Sequence, residues 1–150
     1  MIKPLPNVQK SSTLQLYQQA LLQHHKAPIG FEQKFEATYQ SEGVNAACGD
    51  EIEISVQINN GVITALAFSG DSCAICRASA SMMCQHLIEH RVEGIEVLID
   101  NVINMISSPN DEFPQCHEQL HPLLGVRKFP VRKQCAILPW RTFAVALSLK

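Results

Sequence analysis

No stretch of this chain stays apolar over the roughly 20 residues that a bilayer crossing needs, so no membrane partner is expected. No secretory signal is expected either, since Met1-Ile2-Lys3-Pro4 leads into no long apolar run. Basic excess is absent: 12 Lys and Arg against 14 Asp and Glu leave a net charge of −2. A nucleic-acid protein would show a basic face, so no nucleic-acid partner is expected either. Internal repeats and low-complexity tracts are lacking. The expected location is the cytoplasm, where thiols stay reduced. The six cysteines therefore point to metal binding or catalysis rather than to a disulfide framework. A length of 150 residues suits one domain over 1–150 with its own core. Pro4 and Pro6 make residues 1–10 a flexible lead-in.

What is present centres on Ala47-Cys48-Gly49-Asp50. Downstream of it, Ile52, Ile54, Val56 and Ile58 alternate with Glu51, Glu53, Ser55 and Gln57. Period two is the mark of a strand with one buried face. The same parity, run backward, places Asp50 and Cys48 in the core-facing row. An unpaired buried carboxylate is costly, so either the strand frays before Asp50 or a cation sits there. Asn59-Asn60-Gly61 supplies a hairpin turn. A two-residue turn pairs Ile58 with Ile63 and sets Cys48 opposite Cys73. A three-residue turn with a bulge at Gly61 pairs Ile58 with Val62. The second is favoured, because it brings Val62, Leu66 and Phe68 onto the face of Ile52 and Ile54. Either register returns Cys73 to the neighbourhood of Cys48.

The remaining elements follow from periodicity and punctuation. Ser11 or Ser12 caps a first helix that carries Leu14, Tyr17 and Leu21 on one face and ends near Lys26, ahead of Pro28. His24 and His25 in its last turn read as dipole-favoured histidines rather than ligands. Phe35, Ala37 and Tyr39 form a first strand, with Ser41 to Ala47 as a loop. Ala74 to His90 is helical, capped by Asp71 or Ser72, with Cys73 in the first turn. A helix N-terminus stabilises a thiolate there. Cys73-Ala74-Ile75-Cys76 has the spacing of a redox pair, but no βαβ pattern of a thioredoxin surrounds it. Cys84 reads as core.

Glu93 to Ile106 makes an apolar-faced helix. A looser helical stretch runs from Phe113 to Gly125 and includes Cys116. Its His117 and His121 have a spacing that can chelate a metal, although a solvated face is the commoner meaning. In Val126 to Cys135 four basic residues crowd one cysteine, which favours its thiolate and an acidic partner. A closing helix follows from Ala136.

Cys48, Asp50, Cys73 and Cys135 are thus the candidate metal ligands. Thiolates suit zinc and iron–sulfur clusters, and a zinc site tolerates one carboxylate. The Cys48-Gly49-Asp50 element, the run from Gly70 and Cys73 through Ala78-Ser79-Ala80-Ser81-Met82-Met83, and Cys135-Ala136-Ile137-Leu138-Pro139-Trp140 are jointly specific. With Leu16-Tyr17 through His24 and Pro28, they resemble the U-type iron–sulfur scaffold family of IscU and NifU N-terminal domains, above all its SufU branch. The resemblance runs from about Leu14 to Leu147. Gln134 stands where the IscU branch has a histidine, and Phe129-Pro130-Val131-Arg132-Lys133 does not reproduce that branch's chaperone motif. The long segment between Cys73 and Cys135 is a SufU feature.

The resemblance implies an α+β fold: a three-stranded antiparallel sheet with helices packed on it and a metal site at one end. It implies that Cys48, Asp50, Cys73 and Cys135 hold zinc, or alternatively iron or a [2Fe–2S] cluster. It also implies that sulfur arrives from a SufS-like cysteine desulfurase and passes on to cluster carriers or apo-proteins. Within that frame Cys48, next to the flexible Gly49, is the expected sulfur acceptor, in the manner of a zinc-dependent sulfurtransferase. Arg132 is the expected docking residue for the desulfurase. The alternative is a passive scaffold that transfers a preassembled [2Fe–2S] cluster. A cysteine hydrolase is disfavoured, because nothing positions a base beside Cys48 or Cys116.

Overall fold

The computed structural model describes residues 6–108 and 117–148. Its elements run α1 (Pro6–Lys26), β1 (Tyr39–Asn45), β2 (Asp50–Asn59), β3 (Val62–Ser69), α2 (Ala74–Leu87), α3 (Ile95–Ser107), a 3-10 segment (Glu118–Val126) and α4 (Pro130–Ala146). The strands form one antiparallel sheet in the order β1-β2-β3. The expected α+β class and three-stranded meander are what the chain adopts. α2 packs on β3, and α4 lies across β1 and β2.

The core row of β2 is buried from Asp50 through Ile52 and Ile54 to Val56, as the alternation required. The turn differs from expectation. Asn60 and Gly61, with φ of 52° and 74°, make a two-residue turn that pairs Asn59 with Val62 and Ile58 with Ile63. The bulge comes further along, at Thr64, between the pairs Ile58↔Ile63 and Gln57↔Ala65. Thr64 anchors its hydroxyl among the Gln57 and Asn59 side chains. The extra residue brings Ile63, Leu66 and Phe68 all to the buried face, so burial sets the register while the Asn-Gly pair sets the turn.

Other boundaries also moved. α1 starts at Pro6, so residues 6–10 are helical rather than a lead-in. Proline is well tolerated at the first helical position, where its missing N–H has no partner to lose. The first strand is Tyr39–Asn45, which contains most of the segment expected to be a loop. Pairing with β2 overrides its weak alternation. α2 stops at Leu87, because Glu89 takes a left-handed φ of 74°. The chain then exchanges backbone hydrogen bonds with Ile63 through Glu89 and His90. α3 begins at Ile95, after a left-handed Gly94. The looser stretch is a 3-10 segment running one residue past Gly125. Phe113 and Cys116 lie outside the described residues.

α1 is fastened to α2 by one hydroxyl. Ser81 accepts from the Ile29 amide at 2.7 Å and lies 2.7 Å from Nδ1 of His24. With the hydroxyl proton directed at Nδ1, the ring is neutral, and burial holds the His24 pKa below its ordinary value. A lowered folded pKa contributes stability that is present above the ordinary histidine value and is lost as pH falls through the lowered one. Acidification from pH 7 to 5 is therefore expected to lower the amide protection factors of α1 more than those of the sheet. The excess should be absent in His24→Gln.

Candidate metal centre

Three local features converge at one end of the sheet. The β1–β2 hairpin closes with Asn45 paired to Asp50, leaving Ala46–Gly49 as its loop. Gly49 has φ +71°, and nothing lies near its missing Cβ, so backbone conformation rather than space calls for glycine. Gly70, with φ +114°, passes against the Glu51 carbonyl where any Cβ would collide. That crossing, with the Glu51 amide donating to the Asp71 carbonyl at 2.7 Å, carries the chain past Asp50 into α2. α4 supplies the third part. Gly43 has no Cβ to strike the Thr142 hydroxyl, so α4 closes on β1. Buried Ser79 donates to the Ala136 carbonyl at 2.5 Å and accepts from the Trp140 indole at 3.1 Å. This bond fixes α4 beside Cys135.

Cys48, Asp50 and Cys135 consequently meet, with their ligand atoms all within 4.8 Å of one another. The Cys135 thiol donates to the Cys48 sulfur at 2.7 Å. Asp50, fully buried, accepts from the Cys73 amide at 2.7 Å and from the Asn45 amide at 3.4 Å. It has no ion pair among the described residues. Cys73 adjoins the group from the start of α2, near enough that it helps hold Cys135 protonated. Its register is set by Asp50 rather than by Cys48, because the Thr64 bulge displaces β3 relative to either expected pairing. Cys73 is itself the N-cap of α2 in place of Asp71 or Ser72, and its sulfur accepts from the Cys76 amide at 3.5 Å.

Cys135 sits inside α4 and is completely buried. The sequence suggested a basic stretch favouring its thiolate. Instead, burial first, then hydrogen bonding with Cys48, Asp50 and Cys73, pushes the Cys135 thiol far above the ordinary range. The basic residues are spent elsewhere. Arg127 bonds the Met105 carbonyl, Lys133 the Ser107 carbonyl, and Lys128 and Arg132 are exposed.

Cys76 and Cys84 are core thiols, both raised by burial, Cys84 to about 12. Asn45 escaped the sequence reading. It spans Asp50 and Cys135, at 3.4 and 3.6 Å. A lone asparagine at a strand end carries no periodic signal, and only its place before the Cys48 loop hinted at it.

Sulfurs beside one buried carboxylate that lacks a countercharge suit a thiophilic cation such as zinc, or the iron of a cluster. Residues 16–136 match the family described as the NifU-like N terminal domain. The chain belongs to that family. The iron-sulfur cluster assembly scaffold protein IscU of Thermotoga maritima is 34% identical over 133 residues, 88% of this chain and 92% of that protein. The zinc-dependent sulfurtransferase SufU of Bacillus subtilis is 28% identical over 126 residues, 84% and 85% of the two chains. Among solved structures, a candidate SUF-system scaffold, FiSufU of Fervidobacterium islandicum, superposes with a TM-score of 0.71 at 28% identity, covering 86% of this chain and 94% of that one. This NifU-like domain is thus a U-type iron–sulfur cluster assembly protein with a thiol and carboxylate group able to take a metal. Among the described residues no helix is long and apolar enough to cross a membrane.

Proposed function

We propose that this NifU-like domain is a SufU-type sulfur acceptor, holding zinc through Cys48, Asp50, Cys73 and Cys135 and taking persulfide sulfur from a cysteine desulfurase. The observation that carries this reading is that Cys135, 87 positions along the chain from Cys48, meets Cys48 and Asp50 with all three ligand atoms within 4.8 Å of one another. Bound zinc would keep these sulfurs ionised near neutral pH.

Cys48 is the acceptor because it is partly exposed on the Ala46–Gly49 loop, whereas Cys73, equally half-buried, is fixed as the N-cap of α2. Cys135 is locked in a helix, and the Cys73 amide is tied to Asp50. Its thiolate attacks the outer sulfur of the desulfurase persulfide. A new S–S bond forms on Cys48, the old S–S bond breaks, and the desulfurase cysteine leaves as a thiolate, with no net oxidation. Asp50, the single oxygen among sulfurs, is the donor most readily exchanged. Arg132 is exposed on α4 beside Phe129 and Val131, at 58% and 54% exposure. It offers a charged contact, flanked by apolar ones, for the desulfurase. Delivery onward is to cluster carriers or apo-proteins.

The test mixes the chain with a SufS-like desulfurase and cysteine. Wild type should stimulate sulfide release and carry a persulfide. Cys48→Ala should do neither, and Arg132→Glu should weaken the stimulation. Persulfide on Cys48→Ala would reject the assignment.

A second reading has the same ligands hold a [2Fe–2S] cluster as cargo, as the name of the Thermotoga maritima relative suggests. Anaerobic purification separates the two. A colourless chain with stoichiometric zinc supports the acceptor, and a brown one the scaffold.

A further inference from the structure

α2 joins two ends of the molecule. Its start carries Cys73, and thirteen residues on, about 20 Å away at 1.5 Å per residue, lies His86. Around His86 gather imidazoles from separate segments. His90 returns to it because Glu89 is left-handed and the backbone is bonded to Ile63 on both sides. His117 enters ahead of the 3-10 segment with a left-handed φ of 56°, and His121 follows one turn later. The His86 and His90 ring centroids are 5.6 Å apart, and those of His86 and His117 are 5.4 Å apart. A zinc–nitrogen bond of about 2.0–2.1 Å puts a ring centroid about 3.2 Å from the ion, so two tetrahedrally placed rings have centroids about 5.2 Å apart. The spacing is thus already within a few tenths of an ångström of what coordination imposes.

One atom there lacks a partner. Nε2 of His86 is buried and makes no hydrogen bond to a described residue. Leaving such an atom unsatisfied is costly, and packing of neutral rings alone does not explain it. Burial first, then the neighbouring histidines, hold His86 and His117 below the ordinary histidine pKa. The neutral imidazole is the form that binds metal.

We propose that His86, His90 and His117, with His121 at the rim, form a second metal site on this chain, for zinc or another divalent cation that favours imidazole nitrogen. Among the described residues only the Cys48 group has its ligand atoms within 4.8 Å of one another. Closure of the histidine site therefore needs ring rotations, and its affinity is expected to be lower than that of a thiolate centre. A bound ion would clip the 3-10 segment onto the end of α2. The proposal stands independently of the sulfur chemistry above.

The test titrates zinc into the full chain already carrying one equivalent, followed by calorimetry and by the imidazole nitrogen shifts in NMR. A second equivalent should bind and shift the resonances of His86 and His117. His117→Asn, on the 3-10 segment, should weaken that equivalent at least tenfold while the first stays bound. The same loss is expected in His86→Asn. A parallel measurement uses Cys48→Ser/Cys135→Ser, in which zinc should still raise the melting temperature through the histidines. Saturation at one equivalent, or a second equivalent indifferent to His117→Asn, would overturn the site.

Discussion

Cys135→Ser is expected to lower zinc affinity by more than about 100-fold, because loss of an outer partner of a ligand already costs about 10–100-fold. Cys135 is held in a fixed position. Its sulfur meets Cys48 at 2.7 Å, and its helix is pinned by Ser79 and Trp140, so α4 cannot shift to bring another of its own side chains into that place. Serine keeps the shape, and the metal-free fold should be nearly unchanged. Asn45→Ala supplies the contrast. It removes only the amide bridging Asp50 and Cys135, so a loss of about tenfold is expected. Competition with a chelator of known affinity measures both. Equal affinities for wild type and Cys135→Ser would mean that Cys135 is no ligand.

The metal-free chain is expected to lose stability steeply above pH 9. The Cys84 thiol is raised from 9.0 to about 12, by burial against the underside of the sheet near Gly30. The raised value favours the protonated thiol in the folded chain. Its contribution is complete below the ordinary thiol pKa and disappears as pH rises toward the folded one. Through that window the unfolded chain releases a proton that the folded chain keeps, at about 1.4 kcal/mol per pH unit. Over the whole shift this amounts to about 4 kcal/mol from one buried thiol. Cys76, also raised by burial, acts in the same direction. Urea midpoints between pH 8 and 10.5, with chelator present, should fall with pH. In Cys84→Ala the slope should be smaller by about one proton, even though the variant starts lower for want of a sulfur in the core. Parallel slopes would contradict the burial of Cys84 as a protonated thiol.

Period two in Ile52–Ile58 was enough to find β2 and to extend its buried row to Asp50, since side-chain alternation is a property of any strand. Asn60-Gly61 located the hairpin for an equally local reason: both residues tolerate positive φ. The family could be read from Cys48-Gly49-Asp50 together with the runs after Cys73 and Cys135. The Thr64 bulge could not, because it exists only to reconcile that turn with a buried face on the far side of the sheet. β1 was misplaced for a related reason, since Tyr39–Asn45 is a strand through its pairing with β2 rather than through its own pattern.

Sequence alone determined the chemistry on offer, namely the thiols of Cys48, Cys73 and Cys135 with the carboxylate of Asp50, because residue identity and local periodicity are properties of the chain itself. Tertiary structure decided which of them touch: that Cys135 meets Cys48, that Cys73 reaches the group by way of Asp50, and that Asn45 bridges Asp50 and Cys135; it also brought His117 to His86 and His90 at the other end of α2. Those contacts join residues up to 90 positions apart, and long-range proximity is set by helix-on-sheet packing, which no local spacing records.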